Sequence, residues 1–386
     1  MKKRIILLLI IFCTNAHSQE IIRVGLFKAS KIKAIEVFPE GCSSTIEIGE
    51  AIKFSGNSGN SPFYLSGDGN QITVFFNDIK IGSAKEIVIN NNSNDFFFFK
   101  PAIPDLKGNS YKGKVIFRSS NGVISSVNEL PVNDYLNGVI RGEIGFDKDP
   151  VVYEVHAIIS RTYVYRFFNK HESEGFNVCD QTHCQVYKGF FDYEQFINSI
   201  EISDGIVLRD PIDFSFAEGL FHANCGGRTN ASEDVWSAKL SYCRPVIDSF
   251  CLTGKHANWE KQYSIKDLEK KLGIESSQLL CEDYCFFSND RVKKIRLGYH
   301  DYETISLRNI LKLKSSYFNW ECDSDSVIIS GKGFGHGVGL CQEGAIKMAE
   351  MCFSAEDILQ FYYSGILIDQ SEFRKKNKLL SDRLSE

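Results

Sequence analysis

The stretch LPVNDYLNGVIRGEIGFDKDPVVYEVHAIISRTYVY, residues 130–165, organises the rest of the chain. Its first half places Glu143 between Gly142 and Ile144, and its second half predicts a helix that carries Arg161. A carboxylate in poorly solvated surroundings tends to have a raised pKa and can serve as a general acid. A glutamate near a helix is also commonly a cap or an ion-pair partner, so both interpretations are open at this point.

Length and composition are those of an ordinary folded protein. The 386 residues suffice for roughly two domains, and 43% hydrophobic and 24% charged residues are typical of globular chains. From residue 19 to 118, short alternating runs separated by Gly, Asn and Ser predict a β-rich region with strands IIRVGLF, AIEVFP, TIEIG, QITVFF, EIVIN and KVIFRSS. Residues 119–370 mix helical and strand patterns, so the predicted fold class is α+β, with a charged tail at 371–386.

Local patterns give the elements of this second region. Helices are predicted at residues 134–140, 153–168, 193–203 and 264–272 and at LRNILKLK, whereas VKKIRLGYHD predicts a strand.

The first eighteen residues have the form of an export signal. The basic start MKKR precedes a short apolar run, and the residues AHS at 16–18 offer small side chains where a signal peptidase cleaves. Because the run is too short to span a bilayer, we expect residues 1–18 to be removed on export. The mature protein is then expected in the periplasm, the cell envelope or the extracellular space, and no later segment is apolar for long enough to be a membrane helix.

The net charge and the cysteine content indicate which partners and which redox environment the protein has. Loss of the three positive charges in the signal changes the formal net charge from −5 to −8, which disfavours nucleic acid as a partner. Of twelve cysteines, only Cys13 lies in the signal, so eleven remain. In an oxidising compartment, Cys243 with Cys251 and Cys281 with Cys285 are expected to form disulfides. Because eleven is odd, at least one thiol should be free, metal-bound or paired with another chain.

A glycine-rich motif, GKGFGHGVGLCQEGA, lies near the C-terminus, with glycine at alternate positions from 331 to 339. The glycines do not follow the spacing of a dinucleotide-binding loop, and the Walker pattern is absent. Alternate glycines indicate instead an extended backbone that another group approaches closely, with His336 as its functional side chain. A tight strand packed against a helix explains the pattern equally well.

Five residues form a possible metal-ligating set: Cys179, His183, Cys184, His222 and Cys225. Zinc takes about four Cys or His ligands at tetrahedral angles. In an exported chain, disulfide formation competes with zinc binding. A cysteine nucleophile served by a histidine is a third interpretation, although no thiol-protease signature is present.

Six motifs, in order across residues 130–350, give the chain a resemblance to a known family. They are LPVNDYLNGVIRGEI, AIISRTYVY, DQTHCQVYKG, NCGGRTNASEDVW, LRNILKLKSSYF and GKGFGHGVGLCQEGAIKMAE. Together they resemble the SpoIID/LytB family of exported proteins that act on bacterial peptidoglycan. The resemblance implies a lytic transglycosylase that cleaves glycan strands without stem peptides. Relatives of the LytB type are amidase enhancers instead.

The resemblance also implies roles for particular residues. Glu143 matches the family's acidic residue and Arg161 the arginine of its RTY motif. The expected glycan-binding residues are Arg161, Tyr163, His183, Gln185, His336 and Gln342. Zinc beside the site, which some members hold, would fall to His171, Cys179 and Cys184. Two departures from the family pattern are Cys341, where serine is usual, and Glu343, where an aromatic residue is common.

The implied chemistry needs no cofactor. Glu143 would act as the single acid and base, since the sequence shows no obvious second carboxylate, and the C6 hydroxyl of the muramoyl residue would be the nucleophile. Arg161 would hold the lactyl carboxylate of the substrate or support the segment that carries Glu143. Three functions stay open: glycan cleavage, stimulation of an N-acetylmuramoyl-L-alanine amidase partner by a non-catalytic peptidoglycan-binding protein, and zinc- or thiol-dependent hydrolysis.

Overall fold

The computed structural model describes residues 20–39, 45–49, 52–55, 61–91, 95–274, 285–297, 300–323 and 326–370. The expected export signal, the charged tail and Cys281 of one expected disulfide lie outside these ranges.

The N-terminal part of the described chain is made of strands. They are β1 (Ile21–Leu26), β2 (Ala34–Pro39), β3 (Thr45–Ile48), β4 (Ile52–Ser55), β5 (Phe63–Asp68), β6 (Gln71–Phe76), β7 (Ile79–Ala84), β8 (Glu86–Asn90), β9 (Phe97–Ile103), β10 (Asn109–Tyr111), β11 (Lys114–Ser120) and β12 (Val123–Pro131). All six strands predicted from the alternating pattern are present.

Helices and short strands follow. They are α1 (Val132–Glu143), α2 (Pro150–Arg166), β13 (Val178–Cys179), α3 (Glu194–Ile202), β14 (Val207–Arg209), β15 (Phe221–His222), β16 (Asn258–Ser264), α4 (Ile265–Leu272), β17 (Lys294–Leu297), β18 (His300–Glu303), α5 (Thr304–Leu311), β19 (Phe318–Asp323), β20 (Ser326–Lys332), β21 (Leu340–Cys341), α6 (Gln342–Glu350), α7 (Ala355–Tyr362) and β22 (Leu367–Asp369). The α+β class is thereby confirmed.

Two large sheets enclose the first hydrophobic core. One has the strand order β13-β1-β12-β11-β8-β3-β4 and the other β10-β9-β2-β5-β6-β7. Alternate residues of each strand, such as Val115 and Phe117 of β11 and Phe97 and Phe99 of β9, are fully buried in this core. The core continues through α1, α2 and α3, and β13 pairs with β1. The β-rich region therefore supports the helices directly, while a domain boundary near residue 118 stays a prediction.

Two further cores lie towards the C-terminus. One is formed by α2, α6 and α7 with β14, β15 and β21, and the other by α4 and α5 against the sheet β16-β20-β19. The segment VKKIRLGYHD was expected to be a single strand, but it contains β17 and only the start of β18, which pairs with β17 in the antiparallel direction. None of the helices in the described ranges is long and apolar enough to cross a membrane.

Local capping explains where the central helices begin. The side chain of Asp149 accepts a hydrogen bond from the N–H of Val151 (2.9 Å), and Pro150 occupies the first helical position of α2. The helix therefore starts three residues before the predicted Tyr153. Helix α1 extends beyond the predicted 134–140 in both directions, so that Glu143 is its last helical residue.

Candidate functional site

Two glycines on one face of α1 let a neighbouring segment approach the helix. A Cβ on Gly142 would lie 2.2 Å from the carbonyl oxygen of Val186, and one on Gly138 would lie 2.4 Å from that of Gly189. Since such distances are impossible for real side chains, the two glycines are required for residues 186–189 to pack on α1. This packing brings Glu143 to Val186.

Glu143 is half-buried and is held by the backbone. Its Oε1 accepts a hydrogen bond from the N–H of Val186 at 2.6 Å. Burial raises the pKa of Glu143, while the Val186 N–H and the positive charge of Lys188 oppose that rise. A carboxyl group with this balance retains its proton to a higher pH than an exposed glutamate, as a general acid requires.

Glu143 lines a cleft with a volume of about 790 Å³. Of the residues predicted from the sequence, the cleft is lined by Glu143, Tyr163, His183, Cys184, Gln185, His336 and Gln342. The structure also places here residues that the sequence did not single out, among them Lys170, Glu218, Trp236, Arg308 and Phe334. His222, which was expected only as a metal ligand, lines the cleft as well. Trp236 ends the motif NCGGRTNASEDVW, but no role was predicted for it, and Glu218 lies in an irregular segment outside the quoted motifs.

The glycine-rich motif forms one wall of the cleft by pairing with residues 220–230. Strand β21 pairs with β15 in parallel, and Phe334 forms an antiparallel bridge with Asn224. The close approach predicted for the glycines is present, since a Cβ on Gly335 would lie 2.7 Å from Cβ of His222. The predicted extended backbone is wrong for this segment, because Gly333, Gly335, Gly337 and Gly339 all have positive φ.

This wall presents two neutral histidines. The rings of His222 and His336 lie 5.4 Å apart, and the ring of Trp236 lies 5.0 Å from His336. Burial lowers the pKa of His336 to about 4, and it lowers the pKa of His222 as well. Nδ1 of His336 accepts the N–H of Val338 at 3.0 Å, so its ring proton is on Nε2.

Buried polar atoms of Gln185 and His222, both in the cleft walls, lack a protein partner. Nε2 of Gln185 has none, although Oε1 of the same amide accepts the hydroxyl of Tyr135 at 3.2 Å. Nε2 of His222 also has none, while its Nδ1 contacts the carbonyl of Val338 at 3.1 Å. Because buried polar groups are almost always satisfied, one donor and one acceptor are available here for a polar ligand.

Gln342, Tyr163 and His183, which were predicted as site residues, make the following hydrogen bonds in the cleft. The amide nitrogen of Gln342 lies 3.5 Å from the backbone oxygen of Glu143. Lys170 donates to the hydroxyl of Tyr163 at 3.0 Å and to the carbonyl of His183 at 2.6 Å. These bonds fix a cation and a phenol at the rim of the cleft.

Arg161 does not line the cleft, which corrects the expectation that it binds substrate. Its side chain is buried, with a relative exposure of 1%, and burial lowers its pKa to about 10. The guanidinium donates to the carbonyls of Ser203 (2.7 Å) and Ile206 (3.2 Å) and to Oδ1 of Asn133 (3.3 Å). Arg161 therefore has the supporting role, through backbone carbonyls at the end of α3, and the negative charge of Asp204 opposes the fall in its pKa.

Other cations do face the cleft. Arg308, on the predicted helix α5, lines the cleft, and within the described ranges it forms no ion pair. Burial lowers its pKa, and its Nε has no partner. Lys170 is the second cation.

A cleft-edge Cys/His cluster contains the three predicted zinc ligands together with a fourth residue. The ligand atoms of His171, Cys179, His183 and Cys184 all lie within 4.8 Å of one another. Nε2 of His171 lies 3.4 Å from Sγ of Cys184, and its Nδ1 contacts Glu174 at 2.7 Å. A carboxylate behind a histidine is the usual second partner of a zinc ligand, so this set fits the metal.

The cysteines do not pair as expected. Cys243 and Cys251 are both free thiols, as are Cys179 and Cys184, so the disulfides considered for these residues are absent. Burial raises the pKa of the Cys243 thiol to about 12. Cys322, which was not assigned a partner, is disulfide-bonded.

The structure does not bring the expected five-residue metal set together: Cys179, His183 and Cys184 lie in the cleft-edge cluster, and the other two residues lie elsewhere. Cys225 is not near the cleft-edge cluster but belongs to a second group with Asp248, Cys251 and Cys341. His222, the fifth expected ligand, belongs to neither group and lines the cleft. The other departure, Glu343, binds Nδ1 of His256 at 2.6 Å and the amide of Asn224 at 2.7 Å, and so holds the loop below the glycine-rich wall.

The fold and this site define an α+β protein with a carboxylate-bearing cleft, and comparison with known proteins shows which family it resembles. The family model described as SpoIID, stage II sporulation protein, matches residues 120–208, which include Glu143 and the cleft-edge cluster. The chain is 27% identical to stage II sporulation protein D of Bacillus amyloliquefaciens over 71% of this chain and 83% of that protein. The chain is therefore similar to proteins of the SpoIID/LytB family.

Two other relatives are similar over much of the chain. An uncharacterised protein of Brachyspira hyodysenteriae is 29% identical over 71% of this chain and 75% of its own length. The amidase enhancer of Bacillus subtilis is 27% identical over 60% of this chain, and the match spans 39% of that protein.

Proposed function

We propose that the protein is a peptidoglycan lytic transglycosylase in which Glu143 is first the general acid and then the general base. The observation that carries the proposal is the position of Glu143, a half-buried carboxyl group with a raised pKa at the wall of a large cleft. Similarity to the SpoIID/LytB family supports the substrate class. Export to the cell envelope, predicted from residues 1–18, would bring the protein to this substrate.

The reaction follows from the position of one carboxyl group. Glu143 protonates the oxygen between N-acetylmuramic acid and N-acetylglucosamine, and the bond from that oxygen to the muramoyl C1 breaks with oxocarbenium character. The resulting carboxylate of Glu143 takes the proton of the C6 hydroxyl while the oxygen of that hydroxyl bonds to C1. The product is a 1,6-anhydromuramoyl end, and Glu143 is protonated again. An internal nucleophile has a high effective concentration, so no activated water is needed.

The cleft offers contacts that suit an acetylated sugar. The free amide N–H group of Gln185 and the free Nε2 of His222 supply one donor and one acceptor for hydroxyl or acetamido groups. The rings of Trp236 and His336 supply an apolar face for a pyranose ring. Because both histidines are neutral, the wall does not compete with Glu143 for the role of proton donor.

Peptide-free glycan carries a lactyl carboxylate on each muramoyl residue, and Arg308 is the residue we propose to bind it. Its guanidinium is partly buried and has no carboxylate partner within the described ranges. An arginine can hold a carboxylate through two parallel hydrogen bonds. This assignment replaces Arg161 as the proposed clamp.

Glu218 is a second carboxylate in the cleft. Two carboxylates allow a hydrolytic mechanism, in which one of them activates a water or acts as nucleophile. The variant Glu218→Gln separates the mechanisms: it should retain formation of anhydro ends under our proposal and lose activity if the enzyme is a hydrolase.

Zinc at the cleft-edge cluster would be held by His171, Cys179 and Cys184, with His183 as the fourth ligand. Such an ion would hold together the segments that carry these ligands and would supply Lewis acidity at the rim. The proposed proton transfers use Glu143 alone.

The experiment uses purified protein and peptide-free glycan strands. Wild type should release 1,6-anhydromuramoyl products, and Glu143→Gln should lose at least 10²-fold in rate, as expected when a general acid is removed. The matched control is Glu154→Gln, since Glu154 on α2 is also half-buried with a pKa raised by burial but does not line the cleft. Its activity should be unchanged.

A second function, stimulation of an amidase, is favoured by the similarity to an amidase enhancer. If wild type releases no glycan product but speeds an added N-acetylmuramoyl-L-alanine amidase, this function replaces the first. Activity that a chelator abolishes while Glu143→Gln stays active would point instead to hydrolysis by the Cys/His residues.

A further inference from the structure

A second group of soft ligands lies away from the cleft-edge cluster and has no part in the proposed reaction. It consists of Cys225, Asp248, Cys251 and Cys341, and is called here the buried thiol cluster. All four side chains have a relative exposure of 0%. Their ligand atoms lie within 4.8 Å of one another.

The separations suit a tetrahedral zinc ion. Sγ of Cys225 lies 3.4 Å from Sγ of Cys251 and 3.2 Å from Oδ2 of Asp248. With zinc–sulfur bonds of about 2.3 Å, neighbouring ligand atoms in a tetrahedron are about 3.5–3.8 Å apart. The sulfur atoms are also too far apart for a disulfide, which requires about 2.05 Å.

Within the described ranges, no cationic side chain forms a salt bridge with the buried side chain of Asp248. Asp248 accepts hydrogen bonds from the hydroxyl of Tyr362 (2.9 Å) and the N–H of Phe250 (2.9 Å), but no lysine, arginine or histidine of the described ranges pairs with it. Burying a carboxylate without a counter-charge costs several kcal/mol. A bound metal cation would remove that cost.

The surroundings also suit a metal–thiolate group. The backbone N–H of Cys225 donates to Sγ of Cys341 at 3.3 Å, and such bonds spread the negative charge of a thiolate. Cys341 is the residue before α6, where the helix dipole favours an anion. The guanidinium of Arg291 donates to the carbonyl of Cys225 at 2.5 Å, which adds positive charge next to the cluster.

We propose that Cys225, Asp248, Cys251 and Cys341 bind one structural zinc ion. The site is closed, because all four positions are filled by protein and none is exposed to solvent. It would fasten three distant segments behind the cleft wall: the loop after β15, the loop at 248–251 and the start of α6. His222 and Gln342, which line the cleft, lie three residues and one residue from ligands of this site.

The test measures zinc content in protein from which the cleft-edge cluster has been disabled by His171→Ala with Cys184→Ser. The protein is purified under reducing conditions with zinc sulfate and then dialysed. We expect about one zinc ion per chain, and loss of that equivalent when Cys341→Ser is added. The matched control is Cys243→Ser, a buried thiol of the same core that lies outside the cluster and should retain the zinc.

Cobalt(II) gives a second reading that does not depend on activity. The disabled protein should show thiolate-to-cobalt charge-transfer absorption and tetrahedral d–d bands, and both should vanish with Cys341→Ser while circular dichroism shows a folded chain. Metal-free protein that is folded would overturn the proposal. So would peptide mapping that finds Cys225 and Cys251 joined in a disulfide in the folded protein.

Discussion

The carboxyl group of Glu143 and the backbone N–H of Val186 are joined by a hydrogen bond of 2.6 Å. This bond links the last residue of α1 to the segment that carries Cys184 and Gln185, and it forms only because Gly142 has no side chain where Val186 passes. The Gly-Glu pair of the motif therefore acts as a unit: the glycine admits the segment, and the segment holds the acid at the cleft.

The raised pKa of Glu143 predicts that Glu143→Gln stabilises the protein at neutral pH. When the pKa of a carboxyl group is higher in the folded than in the unfolded state, the protein loses stability as the pH rises from the unfolded-state pKa to the folded-state pKa. Relative to wild type, Glu143→Gln should therefore have the same free energy of unfolding at pH 3. Above the ordinary glutamate pKa its free energy of unfolding should become higher than that of wild type, and the difference should then stay constant at higher pH. Urea unfolding at several pH values measures it, and a gain that is independent of pH would contradict the assignment.

The same raised pKa sets the pH dependence of catalysis. Because the free enzyme must carry a protonated Glu143, kcat/KM should fall with rising pH along a limb whose pKa lies above that of an ordinary glutamate. Glu154→Gln should show the same limb. A limb that is unmoved from the ordinary glutamate value would show that another group donates the proton.

Arg161 and Arg308 should respond to substitution in opposite ways. Arg161→Met leaves the buried carbonyls of Ser203 and Ile206 without a donor, so we expect a loss of about 3 kcal/mol in unfolding free energy. Arg308→Gln removes a cation without an ion-pair partner, so stability should change little while KM for peptide-free glycan rises. Thermal unfolding and steady-state kinetics measure the two effects, and a stable Arg161→Met with raised KM would restore Arg161 as the clamp.

Gly339 and Gly365 form a matched pair for testing the glycine-rich wall. Both have a φ of +69°, but a Cβ on Gly339 would lie 2.2 Å from the carbonyl oxygen of Leu220, whereas one on Gly365 meets nothing within 4 Å. Gly365→Ala should cost about 1 kcal/mol for its backbone conformation. Gly339→Ala should cost clearly more and lower activity, because β21 can no longer approach β15. Equal costs in urea unfolding would show that the approach is loose.

Glu174 should raise the zinc affinity of the cleft-edge cluster through its contact with His171. In a Cys341→Ser background, Glu174→Gln should weaken zinc at the cleft-edge cluster by about 10- to 100-fold, since the carboxylate orients the imidazole. The control is Glu172→Gln, two residues away and exposed. Chelator competition measures both, and equal affinities would mean that His171 is not a ligand.

Sequence patterns predicted the strands, the central helices and Glu143, because each depends on local periodicity or on a short motif. Arg161 was misassigned because its motif indicates importance, while its burial under α3 depends on tertiary packing. Trp236, Glu218 and Arg308 come from three separate segments of the chain, so that only the tertiary fold brings them to one cleft. The cysteines were expected to pair with sequence neighbours, but Cys225 and Cys341, 116 residues apart, meet in the fold.

The central claim is that Glu143 cleaves glycan with an internal nucleophile, and the mass of the product made in ¹⁸O-labelled water tests it most directly. Our account predicts muramoyl ends that are lighter than the hydrolysed ends by one water and carry no label, formed by wild type and Glu218→Gln but not by Glu143→Gln. Reducing ends that contain ¹⁸O, or anhydro ends formed at the wild-type rate by Glu143→Gln, would contradict it.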